Sequence, residues 1–203
     1  MSFCKMNPPN NIIFVKVGDL YSYKHVNKLY NDLIQYFPYS KFWCYTDDWY
    51  HINNYIYIIN PISSLKKWWP KLALFSEAMP YRGSCLFFDL DINIKDYFSD
   101  KLFWDGLTIL NNYSKKDLYM AEHAYDVTVN SSVITWKAKE QDHIWNHFCS
   151  NKDYFMRKYS GIDRFIVHEK FNYNLFEDGL VSIVKDPKPN CPIDLYNGLM
   201  YEL

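Results

Sequence analysis

Apolar positions along the chain follow two spacings: short unbroken runs, and stretches where they recur every three or four residues. Ile12-Ile13-Phe14-Val15-Lys16-Val17 reads as a buried strand and breaks at Gly18-Asp19, a strand-to-helix turn. Ser22 then precedes a helix predicted over 23–36, whose Val26, Leu29, Tyr30, Leu33 and Ile34 form one apolar stripe before Pro38 closes it. Lys41-Phe42-Trp43-Cys44-Tyr45 predicts a second strand ending in Thr46-Asp47-Asp48, and Tyr55-Ile56-Tyr57-Ile58-Ile59 a third, stopped by Asn60-Pro61. A helix over 71–79 leads into a fourth strand, Cys85-Leu86-Phe87-Phe88, which runs directly into Asp89-Leu90-Asp91. The order β-α-β-β-α-β predicts an α/β fold on a mostly parallel sheet flanked by helices, with polar strand ends gathered along one ligand-binding edge.

The rhythm after Asp91 is less regular. Residues 126–136 read as a strand, or a strand pair interrupted by the polar Asn130-Ser131-Ser132, and a helix carrying Trp145 and Phe148 follows. Gly161-Ile162-Asp163-Arg164-Phe165-Ile166 predicts the start of a further helix, since an acid in the first turn suits the helix dipole. The proline-bearing segment 186–203 is expected to wrap the surface as a tail, and no internal repeat divides the 203 residues, which are expected to form a single domain, 1–203.

Composition narrows the classes. A formal net charge of -1 argues against a nucleic-acid-binding surface. Aromatic residues make up 20%, with 19 Tyr, more than a core requires, which leaves rings for a surface or cleft where sugars, bases or partner proteins stack. No run of about 18 apolar residues suggests a transmembrane segment, and the start lacks the apolar stretch of a signal peptide, so a soluble cytoplasmic protein is expected. Abundant Asn, Lys, Ile and Tyr suit an AT-rich genome such as that of a virus or of a bacterium with biased composition, and if viral the compartment is the host cytoplasm. Cys4, Cys44, Cys85, Cys149 and Cys191 are odd in number and scattered, which predicts reduced thiols.

The chemistry concentrates at Asp89 and Asp91. Alternation along a strand points both carboxylates the same way, so both can meet one cation, and carboxylate oxygen is the hard ligand that Mg²⁺ or Mn²⁺ prefers when it also holds substrate phosphates. An isolated Asp-x-Asp is more often a solvated turn; the apolar run before it places this one at a strand's carboxyl end, where α/β sheets bind ligands. His143 and His147 share a helix face at i, i+4, but no third ligand is apparent nearby, so a solvated face is expected.

In this order the motifs resemble those of small glycosyltransferases of the GT-A fold, of the glycogenin and bacterial galactosyltransferase type. Val15-Lys16-Val17-Gly18-Asp19-Leu20-Tyr21 resembles the first nucleotide-binding loop, with Val17, Gly18, Asp19 and Tyr21 as donor contacts. Tyr45-Thr46-Asp47-Asp48 is similar to the strand end that contacts the base through Thr46, Asp47 and Asp48. Trp68-Trp69-Pro70-Lys71-Leu72-Ala73-Leu74-Phe75 resembles a helix start whose Lys71 neutralises a diphosphate, while the Trp pair is taken as packing. Phe88-Asp89-Leu90-Asp91 matches the DxD signature, with Phe88 beside the donor. Asn130-Ser131-Ser132 resembles the turn beneath the donor sugar, with Ser131 as a donor contact and Asn130 as a catalytic residue, and Gly161-Ile162-Asp163-Arg164 stands where the family has a GDQ-like motif, which puts Asp163, the other catalytic residue, nearest the anomeric carbon. Each motif also has an ordinary reading: a turn at Gly18-Asp19, Asp47-Asp48 or Asn130, a surface charge at Lys71, a helix-capping acid at Asp163.

The resemblance implies a nucleotide-binding half over 11–95, an acceptor-side half over 96–185 and the tail beyond. It implies transfer of a sugar from a UDP-linked donor to a hydroxyl of a glycan, lipid or protein, with retention of configuration favoured. Mn²⁺, or Mg²⁺, would be held by Asp89, Asp91 and Asn197, and Lys71 or Lys185 would stabilise the departing nucleoside diphosphate. Two departures stand out. Asn197, in Tyr196-Asn197-Gly198-Leu199-Met200, occupies the place of the family's histidine ligand with no lysine beyond it, and Arg164 replaces a usual glutamine. Two other readings remain: a haloacid dehalogenase-type phosphatase with Asp89 as nucleophile and Asp91 as proton donor, and a catalytically inactive binding module on the same fold.

Overall fold

A computed structural model describes residues 8–62, 64–111, 127, 129–184 and 187–196. The chain runs β1 (Asn11–Lys16), α1 (Tyr23–Ile34), β2 (Lys41–Thr46), β3 (Ile56–Ile59), a 3₁₀-helix (Trp69–Phe75), β4 (Ser84–Phe88), β5 (Ile92–Ile94) and β6 (Thr108–Asn111). It continues through β7 (Val129–Lys137), α2 (Asp142–Ser150), α3 (Lys152–Lys158), α4 (Ile162–His168), β8 (Asn174–Leu175), β9 (Val181–Ile183) and β10 (Ile193–Leu195).

Seven strands form the main sheet in the order β3-β2-β1-β4-β7-β6-β8. β3, β2, β1 and β4 are mutually parallel, and β7 lies antiparallel to both β4 and β6. Winding therefore runs outward from β1 to β3 on one side and resumes on the other side at β4. That reversal opens a crevice at the carboxyl ends of β1 and β4, the place where α/β sheets take ligands.

Strand alternation divides the core in two. Ile13, Phe87, Ile134 and Trp136 face the 3₁₀-helix, α2 and α4, whereas Ile12, Phe14, Leu86, Phe88 and Val133 face α1 and the smaller sheet. Helix α1 forms as its stripe predicts, burying Val26, Leu29, Tyr30 and Leu33, and its first turn is closed by the Ser22 N–H donating to His25 Nδ1 at 3.1 Å.

Two segments differ from expectation, and a third decides between two readings. The helix expected over 71–79 is instead a 3₁₀-helix beginning at Trp69, with Pro70 in its first turn, where a missing N–H costs nothing. Of the two readings of 126–136, a strand or a strand pair, the structure has the single strand, β7, whose register against β6 slips so that Ile109 faces Ile134 while Leu110 faces Asn130. Ser131, Ser132 and Val133 have no β6 partner, and the resulting bulge accounts for polar residues inside a buried strand. The expected surface tail contains β10, which lies between β5 and β9 in a second, three-stranded sheet with Ile193 and Leu195 buried. Apolar alternation in Ile193-Asp194-Leu195 outweighs the prolines before it. No helix among the described residues is long and apolar enough to cross a membrane, and the described cysteines are free thiols.

Candidate active site

β1 delivers Val17 and Gly18 to the crevice. Gly18 takes a left-handed φ of +76°, and its N–H donates to both Asp47 carboxylate oxygens at 3.0 and 3.2 Å, tying the loop after β1 to the end of β2. Asp47 also borders a cavity of about 480 Å³ with Asp19, Lys66 and Lys67. Asp48 is spent on the loop itself. Its carboxylate accepts from the Tyr50 N–H at 3.0 Å and pairs with Lys16 at 3.4 Å, and both contacts hold it below the usual carboxylate range. Thr46 is buried, its hydroxyl bonded to the Asp48 backbone.

Two adjoining cavities extend from this loop across the end of β4. The first, about 480 Å³, is bordered by Val17, Gly18, Asp19, Tyr21, Trp68, Lys71 and Asp89. The second, about 450 Å³, is bordered by Trp68, Lys71, Asp89, Asp91, Asn130, Ser131, Asp163 and Arg164. Tyr21 borders the first cavity together with Asp89, and burial, then the neighbouring Asp91 and Asp89 carboxylates, push its hydroxyl well above its ordinary range.

The bulge in β7 builds the floor. The Asp89 N–H donates to the Ser132 carbonyl at 2.9 Å, and Asn130 Oδ1 accepts from the Ser132 N–H at 2.8 Å, so Asn130 makes a local turn and borders the cleft at once. Lys71 Nζ lies 2.7 Å from both Asp89 carboxylate oxygens and 3.4 Å from the Ser131 carbonyl and hydroxyl. Asp163, in the first turn of α4, has its carboxyl raised by burial, against the lowering effects of Lys71 and of hydrogen bonds from Ser131. Its Oδ1 is sealed from solvent with no hydrogen-bond partner.

Sequence reasoning therefore gathers Val17, Gly18, Asp19, Tyr21, Lys71, Asp89, Asp91, Asn130, Ser131 and Asp163 at one crevice. Phe88 is corrected: its ring is fully buried against Phe98 on the α1 side, because alternation sends it opposite to Asp89. Lys185 and Asn197 lie outside the described residues. Trp68, taken as packing, borders both cavities, and no periodic signal separates it from the buried Trp69.

Metal fit rests on the donor set. Asp89 and Asp91 supply hard oxygen donors on one side of the cleft, and no group of three or more His, Cys, Asp and Glu forms a cage among the described residues. Two carboxylates with open positions suit Mg²⁺ or Mn²⁺, which keep water and phosphate oxygens as further ligands. His147 is used elsewhere, its Nε2 lying 2.9 Å from Glu169.

No protein-family model matches the chain, and no curated relative matches it. Solved structures do resemble it. The glycosyltransferase GlyE of Streptococcus pneumoniae aligns with 14% identity over 92% of this chain and 55% of its own, at a TM-score of 0.66. The galactosyltransferase LgtC, solved with donor and acceptor sugar analogs, aligns with 14% identity over 93% and 87%, at a TM-score of 0.61. The chain has the GT-A glycosyltransferase fold. A third GT-A structure, a glycosyltransferase involved in glycosylation of the major capsid of PBCV-1, aligns with 12% identity over 95% of each chain, at a TM-score of 0.57. In its apo form GlyE matches over 86% of this chain but only 46% of its own, so the GT-A unit described here spans about half of that protein.

Proposed function

We propose that this chain transfers a glycosyl unit from a nucleotide-diphosphate sugar, UDP-linked, to a hydroxyl on a glycan, lipid or protein acceptor. The observation that carries the reading is the convergence of Asp89, Asp91, Lys71 and Asp163 on one cleft at the β1/β4 reversal of a GT-A fold. The nucleotide would lie along the loop after β1, bordered by Val17, Gly18, Asp19, Tyr21 and Asp47. Asp89 and Asp91 would hold Mn²⁺ or Mg²⁺, which when bound neutralises charge on the diphosphate.

In the transfer, the bond from the anomeric carbon to the diphosphate oxygen breaks with its electron pair leaving on phosphate, and the acceptor oxygen bonds to that carbon and passes its proton to the departing phosphate oxygen. Lys71 stabilises the departing phosphate electrostatically. Asn130 and Ser131 offer hydrogen bonds to sugar hydroxyls. Asp163, when ionised, places negative charge near the positive character that develops at the sugar ring. The phosphatase reading is not carried forward, because Asp89 follows the fourth strand of a GT-A sheet with a complete βαβ unit before it.

A thermal-shift screen with UDP, GDP, UDP-glucose and UDP-galactose, with and without Mn²⁺, tests the proposal. A Mn²⁺-dependent rise in Tm with UDP ligands, absent from the Asp89→Ala/Asp91→Ala variant, supports it. No shift with any nucleotide in folded protein overturns it and favours the inactive-module reading.

A further inference from the structure

Trp68 and Trp69 are neighbours in sequence and opposites in environment. Trp69 is buried, its ring stacked on Phe148 at 5.3 Å and 13°, whereas Trp68 is 42% exposed. The indole of Trp68 stands where the two cavities meet, sharing that position with Lys71 and Asp89. Its placement is constrained from two directions. Gly161 packs so closely that a Cβ there would come within 2.9 Å of Trp68 Nε1, and the Lys67 ammonium lies 5.6 Å from the ring centroid. Lys67 itself adopts a left-handed φ of 59°, which sets the turn that presents the indole.

A large, half-exposed ring amid convergent hydrogen-bonding groups is the surface a pyranose requires. The polarised C–H face of the sugar meets the negative face of the ring, while its hydroxyls reach carboxylates, amides and hydroxyls around the rim. Here the rim is Asp89, Asp163, Asn130 and Ser131. We propose that Trp68 is the stacking platform for a pyranose and thereby sets sugar specificity at this cleft. The inference rests on the transferase reading, and the same chemistry serves a donor sugar or an acceptor sugar.

The test is tryptophan emission of the wild-type chain minus that of Trp68→Leu, titrated with UDP, UDP-galactose, UDP-glucose and lactose in the presence of Mn²⁺. Thermal shift with UDP runs alongside. A Trp68-specific change with a UDP-sugar but not UDP assigns the platform to the donor sugar, and a change with lactose assigns it to the acceptor; either supports the proposal. The preference of the wild type for that sugar ligand should fall about tenfold in Trp68→Leu and recover in part in Trp68→Tyr, which keeps a ring. A UDP shift with no Trp68 response to any sugar overturns the platform and leaves the transferase reading standing. A sugar response with no UDP shift keeps the platform and sinks the transferase reading. Absence of both overturns both.

Discussion

Lys71 and Asp89 form the closest charged pair in the cleft, with the ammonium 2.7 Å from both carboxylate oxygens. The lysine thus occupies one of the two carboxylates proposed to bind a cation. In Lys71→Met, Asp89 is released, and Mn²⁺ should bind more tightly by titration even as sugar transfer falls. Stability should also drop, by roughly 1–3 kcal/mol in a denaturant midpoint, because a partly buried carboxylate loses its partner.

Asp163 should weaken the fold at neutral pH. Its folded-state carboxyl is raised, so the folded chain holds this proton more tightly than the unfolded chain, and stability declines as pH climbs from the unfolded value through the folded one. Asp163→Asn should therefore raise Tm at neutral pH, with a gain that shrinks on acidification toward about pH 4. Transfer activity should fall in the same variant, a trade of function against stability seen at many active sites.

Glu169 acts in the opposite direction. Burial alone would raise its carboxyl, but hydrogen bonds from Tyr159, His147 and Lys158 overcome that and lower it to about 2. These contacts join α2, α3 and the end of α4. Their contribution is present above the ordinary value of 4.5 and is lost as pH falls toward 2. Wild type should be more stable than Glu169→Gln above about pH 4.5, and urea unfolding followed by circular dichroism should show the gap in midpoint closing as pH falls toward 2.

Two glycines should respond to alanine for different reasons. At Gly18 a Cβ meets open space but the backbone is left-handed, so Gly18→Ala should cost about 1 kcal/mol in Tm-derived stability and weaken UDP binding by displacing the loop held by Asp47. At Gly161 the backbone is extended and the obstacle is the Trp68 ring, so Gly161→Ala should tilt that indole and change sugar response with little loss of Tm.

Leu195 tests the corrected tail. A residue on a surface tail would tolerate truncation, whereas Leu195 is 1% exposed in β10. Leu195→Ala should cost roughly 2–5 kcal/mol by chemical denaturation.

The parallel half of the sheet was legible because Ile12, Phe42 and Leu86 sit in unbroken apolar runs and α1 carries its stripe on one face. The acids at the end of β4 were legible for the same reason, since an apolar run announces where a strand stops. Three features were hidden. The Asn130-Ser131-Ser132 stretch looked like a turn because a bulge lets polar groups occupy a strand. Phe88 looked like part of a contiguous site because a motif is written in a line while a strand alternates. Trp68 and Trp69 could not be told apart, since the divergence of adjacent indoles depends on Gly161 and Phe148, residues distant in sequence that only the fold brings near.

β10 reaches back to the acids: the Tyr196 N–H donates to the Asp91 carbonyl at 3.0 Å, one step beyond the pairing of Leu195 with Ile92. The strand segment carrying Asp91 thus receives a backbone partner from a stretch that the ribosome makes long after the acid itself. The backbone partner of Asp91 therefore becomes available only after the 105 positions from Asp91 to Tyr196 have been added.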